Sequence, residues 1–126
     1  MRKKEIELIY NSDIPNDKEA LAVLESLSKR IINEFDVKKM TMTPRQIAEL
    51  ANDLDIQPIN LIDKQSKGYL KTFENLSTDD LLSVINKNMT LLKTPNIRED
   101  GSTKFLDSSY SEYAKDLKSN DANNKK

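Results

Sequence analysis

Asn11, Ser12, Asp13, Asn16, Asp17 and Lys18 crowd into a short run that also holds Ile14 and Pro15. The apolar Ile9 and Tyr10 precede this run, and Leu21 opens a helical stripe after it, so the run is a loop between a strand and a helix. At such junctions the unpaired N–H groups of the helix start face a crevice and favour negative charge. Two chemistries are open: an anion site at the helix start, or a polar or cation contact made by the carboxylates. The cation reading lacks the spacing of an EF-hand loop. A plainer reading satisfies every residue: Asn16 caps the helix, Glu19 completes a capping box, and Asp13 and Asp17 complement the dipole. The plainer reading carries more weight.

Composition narrows the chemistry further. The chain has no cysteine and no histidine, which removes thiol nucleophiles, disulfides, the usual zinc and iron–sulfur sites and histidine as a general base. Carboxylate, Lys, Tyr, Ser and Thr remain. Gly68 and Gly101 are the only glycines, too few for a phosphate-cradling loop or a dinucleotide fingerprint, so no cofactor or metal is expected. With 20 basic and 21 acidic residues the net charge is -1, which gives no long-range field for nucleic acid. Arg2, Lys3 and Lys4, and the pair Lys38 and Lys39, read as solvated surface that could touch an acidic partner, and no aromatic platform accompanies them. The start MRKKEIELIY lacks the apolar core of a signal peptide, and no run approaches the roughly 18 apolar residues of a membrane span. The expectation is a cytoplasmic protein, a monomer by default, with no membrane contact and with nucleic acid unlikely as a partner.

Residues 5–10 form a first strand, and Leu21, Leu24, Leu27 and Ile31 recur at helical spacing after the polar loop. Residues 31–37 carry β-branched and aromatic side chains and read as a second strand, which makes a βαβ unit with parallel strands. Thr43, Pro44 and Gln46 supply an N-cap, a proline at the first helical position and a glutamine at the third. Ile47, Leu50, Ala51 and Leu54 give the inward stripe of that helix. Short helical pieces are expected at 58–62 and 67–73, and Ser77 starts a helix with Leu81, Leu82, Val84 and Ile85 inward. Asp100 and Gly101 signal a hairpin pairing 96–99 with 102–106. Ser109 and Glu112 cap a last helix bearing Tyr110, Tyr113, Ala114 and Leu117, and the tail is polar. The order is βαβ, a helical block, then ββα. With 126 residues the chain suits one domain over 1–118, with a helical insert at about 43–88 and a disordered polar tail over 119–126.

That order, with the stretches "IYNSDIPNDKEAL", "MTPRQIAELANDLDIQPINLID", "YLKTFENLSTDDLLSVINKNMTLLKTP" and "NIREDGSTKFL", resembles the glutaredoxin-coupled arsenate reductase family and its Spx-type regulatory relatives. The resemblance covers roughly residues 5–118. It implies an α/β, thioredoxin-like fold in which the βαβ and ββα halves share a four-stranded mixed sheet with a helical insertion between them. The proline of "LLKTP" matches Pro95, which the resemblance implies to be cis and to face the crevice.

The family's reactive residues do not carry over. Ile14, or Pro15 with a one-residue shift, stands where the family has its nucleophilic cysteine. Lys18 stands for the arginine of the first helical turn, Asp63 for the arginine of the insert, Thr94 for the arginine before the proline, and Leu106 or Asp107 for the one after the hairpin. A carboxylate such as Asp13 or Asp17 about 7 Å from an anion would repel it by roughly 2 kcal/mol at an effective dielectric of about 20. The resemblance therefore implies a cysteine-less, non-catalytic relative that binds a protein or small ligand through the old crevice, where Asn11, Ser12, Asp13, Lys18, Thr94 and Pro95 are the candidate contacts. Two alternatives remain open: a reductase that relies on thiols from glutaredoxin or glutathione, and an Spx-like regulator that contacts RNA polymerase.

Overall fold

The computed structural model describes residues 5–27, 30–99 and 102–106. The last helix expected from Ser109 to Leu117, the tail over 119–126 and the turn at Asp100 and Gly101 lie outside them. Strand β1 (Glu5–Tyr10) leads into helix α1 (Pro15–Leu27), and strand β2 (Ile31–Asp36) returns parallel to β1, with Leu8 opposite Glu34 and Ile9 opposite Phe35. Strand β3 (Asn96–Glu99) runs antiparallel to β1, and β4 (Ser102–Phe105) antiparallel to β3. The sheet order β2-β1-β3-β4 is the mixed arrangement expected from the order of elements.

Between the two strand pairs lie helix α2 (Pro44–Asp53), 3-10 turns at Pro58–Leu61 and Lys71–Asn75, helix α3 (Thr78–Lys87) and a 3-10 turn at Met89–Leu91. Helix α2 starts as its sequence dictates. The Thr43 hydroxyl accepts from the Gln46 N–H at 3.1 Å, and the Gln46 side chain accepts from the Thr43 N–H at 2.9 Å. This satisfies two of the donors a helix start leaves open. It stops with Asp55 in the left-handed region at φ 57°, where the Ile56 N–H reaches back to the Ala51 carbonyl at 3.0 Å. An aspartate tolerates that conformation better than most residues.

Alternation along β1 splits the core in two. Ile6, Leu8 and Tyr10 point to one face, where Ala20 and Leu24 of α1 and Ile97 and Leu106 complete a buried cluster. Ile9 points to the other, onto Leu50, Ala51, Leu81, Ile85, Leu91 and Leu92 of the helical block. The block thus covers the end of the sheet where β1 delivers its polar loop.

Three expectations need correction. Helix α1 starts at Pro15, not after an Asn16 cap: the Ile14 carbonyl accepts from the N–H groups of Asp17 at 3.0 Å and Lys18 at 3.1 Å. Ile31 belongs to no helical stripe; it opens β2 and is 44% exposed, because the helix has already ended at Leu27. The short helical piece expected at 67–73 forms later, at Lys71–Asn75, after turns through Ser66 and Tyr69.

Candidate functional site

The polar loop after β1 is tied down by its own side chains. Asn11 is buried, and its side-chain oxygen accepts from the Asp13 N–H at 2.8 Å, an Asx turn that bends the chain toward α1. Its carbonyl accepts from the Ile14 N–H at 3.0 Å, so Ile14 becomes the residue before the helix and Pro15 the first within it. Asp17 therefore falls in the first turn, with its carboxylate directed back under the loop. There its Oδ2 accepts from the Asn11 N–H at 2.9 Å, and the Thr94 side chain hydrogen-bonds the same carboxylate.

Asp17 is 1% exposed, and it joins the three segments that meet at this end of the sheet: the β1 loop, the start of α1 and the approach to β3. Burial is the largest influence on its carboxyl and raises its pKa. The hydrogen bonds from Thr94 and Asn11 pull it down, the charge of Asp63 pushes it up, and the net shift is upward.

Thr94 precedes a cis peptide bond to Pro95, as the resemblance implied. Pro95 is buried, and its carbonyl accepts from the Leu106 N–H at 2.8 Å, which fastens the end of β4 over the loop. Asn96, fully buried, donates from its side chain to the Lys93 carbonyl at 3.1 Å. On the other side of β1, the Asp36 Oδ1 accepts from the N–H groups of Ser12 at 3.2 Å and Lys38 at 3.0 Å. Burial raises the Asp36 carboxyl, but the Ser12 side chain, these two N–H groups and the Lys39 charge together outweigh it and lower its pKa. Asp13 turns outward and pairs with Lys38 at 2.8 Å.

Of the six candidate residues, the structure brings Asn11 and Thr94 onto one buried carboxylate and places Pro95 beside them. Ser12 binds Asp36, Asp13 faces Lys38, and Lys18 lies exposed on the first turn of α1. Ile14 is half-buried and Pro15 exposed, so an aliphatic residue and an imino ring stand at the helix start. Asp63 is half-buried; its N–H donates to the Leu91 carbonyl at 2.8 Å and its Oδ1 accepts from the Gln65 N–H at 2.9 Å. It lines a hollow of about 250 Å³ with Lys64, Gln65 and Lys93. Lys93 lies over the Phe105 ring, 5.4 Å from its centroid. Among the described residues no group of three or more potential metal-ligating side chains occurs, and no helix is long and apolar enough to cross a membrane.

Sequence reasoning gave Asp17 only the general task of complementing the dipole and missed its central place. The signal was present. Pro15 at the first helical position puts Asp17 at the third, the position from which an acidic side chain reaches back to the loop.

No family model and no curated protein matches the sequence. Solved structures do share its fold. Arsenate reductase from Vibrio cholerae superposes with a TM-score of 0.72 at 15% identity, covering 82% of this chain and 91% of that one. A possible arsenate reductase from Streptococcus mutans gives 0.67 at 17% identity, covering 80% and 88%. An arsenate reductase related protein from Brucella melitensis gives 0.63 at 14% identity, covering 86% and 93%. The likeness is one of architecture: an α/β, thioredoxin-like fold of the arsenate reductase type, in a chain without cysteine.

Proposed function

We propose that this chain is a non-catalytic, cytoplasmic binding protein built on the arsenate reductase-type fold. The observation that carries this reading is the buried Asp17 carboxylate, which takes up the Asn11 N–H and the Thr94 side chain at the helix start. An oxyanion at this helix start would seek those donors, and here the Asp17 carboxyl already holds them. Where Asp17 is ionised, a second anion about 5 Å away would be repelled by roughly 3 kcal/mol at an effective dielectric of about 20. With no thiol in the chain and its own carboxylate at the helix start, the crevice region is left to recognise a protein or a neutral or cationic small ligand.

A reductase that borrowed both thiols from glutaredoxin or glutathione would still have to hold arsenate, and the same carboxylate opposes it. The test is a pair of measurements on the purified protein. Arsenate added in a calorimeter should release no binding heat, and arsenate reduction with glutathione and glutaredoxin should match the protein-free rate. Turnover clearly above that rate would overturn the proposal. Binding heat without turnover would overturn the electrostatic part of it.

A further inference from the structure

The turn from β2 to α2 and the end of α3 line an open hollow of about 260 Å³. Val37 and Met89, both buried, belong to its lining, and Lys38, Lys39, Lys87, Thr41, Asn86 and Thr90 supply its polar wall. Three lysines and no acidic residue line it, in a chain whose net charge is -1.

Its walls are braced. The Asn86 side chain donates to the Met42 carbonyl at 2.7 Å and so bridges from α3 to the β2–α2 turn. That turn is closed by the N–H groups of Lys39 and Met40, both donating to the Asp36 carbonyl at 2.9 Å. The C-terminal end of α3 would by itself repel an anion. Lys87 in its last turn offsets this, and the Asn88 N–H occupies the carbonyls of Val84 and Ile85 at 3.1 Å. Lys38 already has Asp13 as a counter-ion, and the buried Asp36 lies behind Lys39. Lys39 and Lys87 are therefore the pair on which an incoming anion would depend most.

We propose that this hollow binds a phosphate-bearing small molecule, with Lys39 and Lys87 as the charge partners, Lys38 as a third and the Thr41 hydroxyl as a donor. Lysine ammonium groups suit such a ligand because they are mobile point charges that adapt to tetrahedral oxygens. The volume admits one or two phosphate groups rather than a macromolecular segment. The proposal does not rest on the crevice reading: Lys38 reaches Asp13 of the β1 loop, but Lys39 and Lys87, on which it depends, are not among the crevice candidates.

The test is an amide-resolved NMR titration of the full chain with pyrophosphate at millimolar concentration and low salt. Saturable shifts are expected at Lys39, Thr41 and Lys87. In the K39Q/K87Q variant, whose fold is checked by its unchanged remaining spectrum, affinity should fall by about tenfold or more. A K64Q variant, altered in the separate hollow beside Asp63, should bind as the wild type does. Shifts that do not saturate, or that persist in K39Q/K87Q, would overturn the site. A response to a glutamate-rich peptide but not to pyrophosphate would overturn the ligand class.

Discussion

The Asp17 carboxyl is enclosed by protein yet holds two hydrogen-bond donors, so its ionisation is opposed by burial and supported by its partners. The balance is upward from the ordinary value of 3.8, so the folded chain binds this proton more readily than the unfolded one. The sign follows: the contribution of this group to stability is fullest below the unfolded value and declines as pH rises through the folded one. Asp17→Asn keeps the shape and removes the titration. Urea unfolding of both proteins from about pH 4 to about pH 8 should show the wild type losing ground to the variant as pH rises, a difference in which the Asp36 contribution cancels. A gap independent of pH would contradict the assignment. Asp17→Ala instead leaves the Asn11 N–H buried without its acceptor, and should cost about 1–3 kcal/mol near pH 4, a cost that shrinks as pH rises and the wild type loses the Asp17 contribution. The absence of cysteine and histidine was legible from residue types alone, whereas setting Ile14, Thr94 and Asp63 against a cysteine and arginines needed the family resemblance. Pro15 announced that Asp17 could reach back to the loop, but its burial was not legible, because Thr94, remote in sequence, also meets it.

Helices α1 and α2 differ in how much of their beginnings the sequence announces. For α2, Thr43, Pro44 and Gln46 act within one turn, so their spacing is sufficient to place the start. Thr43→Ala should therefore lower stability by about 0.5–2 kcal/mol, read as a shift in the urea midpoint with an unchanged slope. No loss of stability would mean that tertiary packing alone holds this end. For α1 the residue before the helix is Ile14, which has no capping side chain, and the polar Asn16 two residues on drew the start two residues late. What fixes α1 is the Asn11 turn together with Asp17 reaching back to it, a closure made by the loop as a whole. The hairpin was legible because β3 and β4 are adjacent in sequence. The joining of β1 to β3 was reached through the order of elements and the family resemblance, since some eighty residues separate the two strands and no local pattern encodes their pairing.

At the scale of the molecule, β1 is the member shared by both cores. Ile6 and Leu8 anchor the α1 side, and Ile9 anchors the helical block, so neither face can come apart without disturbing the same strand. Leu24 on the first side and Leu50 on the second are both fully buried. Replacing either by alanine removes buried methyl groups and leaves a cavity, at a cost of about 2–5 kcal/mol. If the two faces were separate folding units, each substitution would weaken one transition and spare the other. Because β1 joins them, Leu24→Ala and Leu50→Ala should each move one common urea transition to lower concentration, with tyrosine fluorescence and far-ultraviolet circular dichroism coinciding in both variants. The tyrosines make the comparison discriminating, since Tyr10 packs against the α1 core and Tyr69 against the helical block. A biphasic curve in either variant would show that the helical block unfolds on its own and that the sheet does not bind the two cores into one cooperative unit.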